Sequence, residues 1–126
     1  MKKGKKKIKS YKDLIIWQKA IELAAEIYLL TERYPGEEKF GLVSQMRRAV
    51  VSISSNIAEG KLRDSNKEEK QFFSIAFSSG GELESQIEVS KKFPTIKNLD
   101  FTKADTLLEE VMKMLNTRIN NLSLEA

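Results

Sequence analysis

The chain has 126 residues, 40% of them hydrophobic and 32% charged, with a formal net charge of +4. That size suits one domain burying roughly two-thirds of the surface its unfolded chain exposes. Cysteine and histidine are both absent, which excludes disulfides, thiolate and imidazole metal sites, a cysteine nucleophile and any Ser-His-Asp triad. Few enzymes work without either residue, so the composition favours a binding or structural role over catalysis and calls for no cofactor.

Six lysines, Lys2, Lys3, Lys5, Lys6, Lys7 and Lys9, open the chain, and beyond them acids slightly outnumber bases. Residues 1–10 therefore read as a basic, disordered tail on a nearly neutral domain spanning 11–126. Such a tail attracts phosphate backbones electrostatically; the alternative is a solubility tail. No apolar signal core follows it and no run of 18 apolar residues occurs, so the expectation is a cytoplasmic protein without a membrane partner.

The first helix is expected from about Asp13 to Arg33, with Ser10 or Asp13 as its N-cap. Its apolar set includes Leu14, Ile16, Trp17, Ala20, Ile21, Leu23, Ile27, Tyr28 and Leu30, leaving only Gln18, Glu22, Glu26 and Arg33 as a polar stripe. An arc this wide exceeds what one face of a monomeric bundle needs. Pro35-Gly36 ends the segment.

The second helix is expected over about Glu37 to Glu59, its acidic start suiting the helix dipole. Val50, Ile53 and Ile57 form an apolar stripe beside a polar one, Ser52, Asn56 and Glu59, and Gly60 is read as a left-handed stop. Polar groups beside a seam need partners, because leaving one buried and unpaired costs about 1–3 kcal/mol. The stripe is therefore expected to bond across to Glu82, Ser85 or Gln86 and set the register. A ligand or RNA pocket is the other reading.

Ser65 and Glu68 form a capping box for the third helix, which continues to about Lys91 with Phe72, Phe73, Ala76, Leu83 and Ile87 inward. Ser78-Ser79-Gly80-Gly81 interrupts it with poor helix formers. Each Gly costs about 1 kcal/mol against Ala, so the phrase signals a close helix approach or a break. Phe93-Pro94 closes the segment. The fourth helix is expected over about Phe101 to Leu122, with Ala104, Leu108, Val111, Leu115, Ile119 and Leu122 at near-heptad spacing. With short connections, the expected fold is all-α, an antiparallel up-down-up-down four-helix bundle.

A set of phrases carries a resemblance across Tyr11 to Leu122. Tyr11-Lys12-Asp13-Leu14 and Trp17-Gln18-Lys19-Ala20 are followed by Leu42, Gln45, Arg47-Arg48-Ala49, Ser52 and Asn56-Ile57-Ala58-Glu59-Gly60, then by Glu82-Leu83-Glu84. Together they resemble the bacterial 23S rRNA intervening-sequence proteins, relatives of the accessory variability-determinant proteins of diversity-generating retroelements. The resemblance implies a four-helix bundle assembling as a homopentameric barrel, nucleic-acid binding, and no catalytic residues. The family usually places Gly-Ser before its Glu-Leu-Glu phrase. Here Ser78-Ser79 stands there with Gly80-Gly81 after it, which shifts the expected close contact along the third helix.

The candidate nucleic-acid contacts are the six tail lysines together with Arg47, Arg48, Lys61 and Arg63. One of the two adjacent arginines is expected to pair with an acid of the third helix or of an adjacent subunit, and the other to meet phosphate. Lys61, Arg63, Lys67 and Lys70 lie near Asp64, Glu68 and Glu69, so the field at that connection is mixed. The structural polar network is Ser52, Asn56, Glu59 and Glu82. The expected partners are further copies of the chain and RNA, or alternatively a protein client such as a polymerase.

Overall fold

The computed structural model describes residues 10–125, so the tail lysines Lys2, Lys3, Lys5, Lys6, Lys7 and Lys9 lie outside the described residues. Among those described there are four long helices and no strand. They are α1 (Ile15–Glu32), α2 (Ser44–Leu62), α3 (Asn66–Ser90) and α4 (Thr102–Glu125). Helix α1 packs against α2 and α4, and α3 packs against the same two. No helix is long and apolar enough to cross a membrane.

The apolar stripes converge on one core. Leu23, Ile27, Met46, Ile53, Ile57, Phe73, Leu83, Ile87, Leu115 and Leu122 are fully buried, and Ile96 seals the connection before α4 from below. Phe72 is the exception to the expected inward set on α3. It is half-buried beneath Arg63, 4.6 Å from ring centre to guanidinium, while its neighbour Phe73 fills the core. The wide arc of α1 is only partly used, since Ile16, Ala20, Leu23, Ile27 and Leu30 are buried while Ile21 and Tyr28 are each 40% exposed; Ile15 and Leu29, outside the arc, are 61% exposed.

Capping follows the sequence at Ser65 and departs from it at Ser10. The Ser10 hydroxyl accepts from the Lys12 N–H at 3.1 Å, but it caps a short 3₁₀ turn, Tyr11–Asp13, and α1 begins after Leu14 without a side-chain cap. The Ser65 hydroxyl accepts from the Glu68 N–H at 3.2 Å and donates to the Glu68 carboxylate, starting α3. Asp100 accepts from the Thr102 N–H at 2.9 Å at the head of α4.

Helix α2 differs at both ends from the expected Glu37 to Glu59. A 3₁₀ turn, Gly36–Glu38, and a π-turn, Lys39–Val43, precede it, and Gly41 lies within that widened turn. At the other end Gly60 is no stop: the helix runs on to Leu62, and no described glycine has a positive φ. Gly60 is there for space, because a Cβ would meet the Phe73 ring at 2.8 Å and the Glu69 carbonyl at 3.2 Å.

Helix α3 is unbroken through Gly80-Gly81. Gly80 is buried against the Met112 side chain of α4, which accounts for the close-approach signal, whereas Gly81 has nothing within 4 Å of a Cβ. Gly81→Ala is accordingly expected to raise stability by about 0.4–1 kcal/mol. A urea midpoint at or below wild type would show that Gly81 has another constraint.

Candidate functional site

The spacing of Ser44, Arg47, Arg48, Val51, Ser52 and Ser55 places them along one side of α2. With Tyr28 of α1 they line an open groove of ≈ 580 Å³. None of these lining residues is acidic, in a chain with 18 Asp and Glu.

The two arginines are held differently. Arg47 Nε donates to the Thr31 hydroxyl at 2.9 Å, and its Nη2 donates to the Tyr28 carbonyl at 3.3 Å. Its guanidinium lies over the Tyr28 ring, 4.4 Å from the centroid. Thr31 is itself buried and fixed by donating to the Ile27 carbonyl at 2.6 Å. Arg47 therefore finds its partners on the last turns of α1: the Thr31 hydroxyl, and the Tyr28 carbonyl, which also accepts from that hydroxyl at 3.3 Å. Neither arginine pairs with an acid of the third helix among the described residues. Arg48 is exposed and has no ion-pair partner among the described residues.

The second cationic candidate is largely structural. Lys61, with only 14% of its side chain exposed, sits 3.1 Å from the Glu69 carboxylate and over the Phe73 ring at 5.6 Å. Arg118 Nε reaches the same carboxylate at 2.9 Å and its Nη2 at 3.4 Å. Glu69 is fully buried. Burial pushes its pKa up, but the Arg118 hydrogen bonds and the Lys61 charge outweigh that and hold it below the usual carboxylate value. The Lys61 ammonium is thus engaged by Glu69, and little of the side chain remains for a phosphate. Arg63 is partly exposed and bonds Glu59 at 2.9 Å one turn earlier.

Sequence reasoning counted Glu69 only as a charge in a mixed field. A signal existed: Glu69, Phe73, Ala76, Gly80, Leu83 and Ile87 share the inward stripe of α3. A carboxylate at such a position needs a cation from another helix.

The polar network is smaller than expected. Ser52 bonds Ser79 across the α2–α3 seam at 2.8 Å, and Asn56 Nδ2 donates to the Ser52 hydroxyl at 3.0 Å and its carbonyl at 2.8 Å. Glu59 turns outward to Arg63, and Glu82 accepts from Gln86 of its own helix at 3.2 Å. The cross-helix partner is Ser79, one turn away from the expected Glu82.

A second groove, ≈ 680 Å³, lies between α3 and α4, with Glu84, Glu88, Asp105 and Glu109 around Phe77, Leu108 and Met112. Lys91 bridges Asp105 at 2.7 Å and Glu88 at 2.9 Å. Its acids repel phosphate, so the two grooves give the molecule faces of opposite character.

The sequence profile of the 23S rRNA-intervening sequence protein family matches residues 12–117. No curated protein matches the chain.

Proposed function

The chain belongs to the 23S rRNA-intervening sequence protein family, and from that premise we propose that it is a non-enzymatic, homo-oligomeric RNA-binding protein of the cytoplasm. The observation that carries the RNA reading is the acid-free groove of α1 and α2. There Arg47 is anchored in place, and Arg48 projects with no counter-ion among the described residues. Arginine in that setting suits a phosphate oxygen, which it meets with a planar fork of donors. The six tail lysines add sequence-independent attraction, and repeating them in each copy of an oligomer raises local avidity.

The helices in this reading run up-down-up-down. Lys91–Asp105 ties the end of α3 to the start of α4, and Glu69–Arg118 ties the opposite ends, which supports an antiparallel pair. Arg47 likewise ties the beginning of α2 to the end of α1. Assembly, as a pentameric barrel in keeping with the family resemblance, is supported by the large apolar side chains left outside. These include Ile15 and Leu29 on α1, Leu62 at the end of α2 and Ile75 on α3. A face shared between copies of the chain would bury them. Light scattering at micromolar protein is expected to give five subunit masses. A single subunit mass would remove the assembly from the account and leave those side chains for a protein client, the second reading.

The RNA reading is tested by binding of a fluorescent structured RNA across a salt series, with full-length protein and with residues 1–9 deleted. Affinity is expected to fall steeply with salt in both, more so with the tail present. Absence of binding at low salt would contradict the proposal.

A further inference from the structure

The groove holds more than charge. The Tyr28 ring and the Arg47 guanidinium already form a stack, 4.4 Å apart, on its α1 side, and the ring is 40% exposed. One turn upstream of Ser44, on the π-turn leading into α2, Phe40 is 89% exposed, with the Lys39 ammonium 5.6 Å from its ring centre. Val51, 42% exposed, gives the groove an apolar floor. Two aromatic rings, each beside a cation, thus accompany Arg48, which has no ion-pair partner among the described residues: Tyr28 within the groove lining, and Phe40 just before it in the chain, on the turn that leads into α2.

A surface that met only phosphates would use the Tyr28 ring to hold Arg47 but would have no use for Phe40, which lies 89% exposed. Duplex RNA keeps its bases stacked inside and offers phosphates and 2′-hydroxyls across a wide, shallow groove, whereas unpaired bases splay out onto aromatic and guanidinium planes. Interleaved aromatic and basic side chains are what single strands use, because every base has a face to stack. Resting on the RNA reading of this groove, we infer that its ligand is unpaired RNA: one base extends the Tyr28–Arg47 stack, a second lies against Phe40, and Arg48 takes an intervening phosphate. Ser44 and Ser55 line the same groove and place hydroxyls beside the backbone path.

The test compares a fluorescein-labelled RNA strand of roughly 16 nucleotides, long enough to cover such a platform, with the same strand annealed to its complement. Anisotropy titrations use the full chain, Phe40→Ala, Tyr28→Leu and Arg48→Ala, each checked for an unchanged helical spectrum. The single strand is expected to bind more tightly than the duplex. Phe40→Ala is expected to weaken single-strand binding by roughly tenfold while leaving the duplex unchanged, and Tyr28→Leu, which also loosens Arg47, to weaken the single strand more than the duplex. Equal affinity for strand and duplex, or single-strand binding indifferent to both ring substitutions, would overturn the inference and leave the phosphate groove standing. A Phe40→Ala protein with altered assembly mass but unaltered RNA binding would also overturn it, making Phe40 a protein contact. Arg48→Ala without effect on either RNA would remove the groove reading itself.

Discussion

Glu69→Ala is expected to lower the unfolding free energy by about 3–5 kcal/mol, the cost of breaking a buried ion pair by removing one partner. Glu69 is fully buried, and its carboxylate is shared by Arg118 at 2.9 Å and Lys61 at 3.1 Å. Removing it strips two cations of their common counter-ion, one of them with only 14% of its side chain exposed. The loss then exceeds the small packing defect of a shortened side chain. Replacing all three at once with apolar residues, Lys61→Met, Glu69→Leu and Arg118→Met, is expected to cost far less than Glu69→Ala alone, because no charge is left to desolvate. Urea unfolding of wild type, Glu69→Ala and the triple variant decides this. Equal losses for the single and triple variants would mean that packing, and not charge pairing, dominates at the site.

The same carboxylate gives a pH dependence of definite sign. Burial raises the Glu69 pKa, Arg118 and Lys61 lower it by more, and the folded value lies below the ordinary 4.5. Its contribution is therefore complete above the unfolded value and is lost as the pH falls through the folded one. The urea midpoint is expected to decline as the pH drops below 4.5, and Glu69→Gln is expected to flatten that decline. Asp100, held down by its bonds to Thr102, contributes with the same sign, so some slope persists in the variant. A wild-type midpoint rising on acidification would contradict this arrangement.

Gly60→Ala is the second large effect, expected to destabilise by about 1–3 kcal/mol through overpacking. Helix propensity alone predicts the opposite, a gain of about 1 kcal/mol. The structure decides between them, since the new Cβ would lie 2.8 Å from Phe73 Cδ1, 3.0 Å from its Cε1 and 3.2 Å from the Glu69 backbone oxygen. The Phe73 ring is locked in the core and the oxygen belongs to helix α3, so neither yields cheaply. A urea midpoint above wild type would show that this contact relaxes.

Gly60 also marks where the sequence stops being legible. A glycine chosen for backbone freedom and one chosen for lack of a side chain look alike in a linear chain. Only the neighbour tells them apart, and the neighbour is Phe73 on another helix. The four helices, the Ser65 start and the main core stripes were readable because helical periodicity and capping are local. Which serine meets Ser52 was not, because spacing assigns a face but not the register between helices; Ser79 holds the place expected for Glu82. Which of the two arginines is held, and by what, was hidden for the same reason: Arg47 is fixed by a threonine hydroxyl and a carbonyl on α1. Arg48 was a candidate by residue type alone; the groove it lines with Tyr28 of α1 is formed between helices and was not legible.

The central claim, that the α1–α2 groove holds RNA phosphate through Arg48, is tested most directly by a salt titration of RNA binding with Arg48→Ala against wild type. The account predicts weaker binding at every salt concentration, with a log–log slope shallower by about one for each Arg48 that meets a phosphate. Superimposable curves for the two proteins would contradict it.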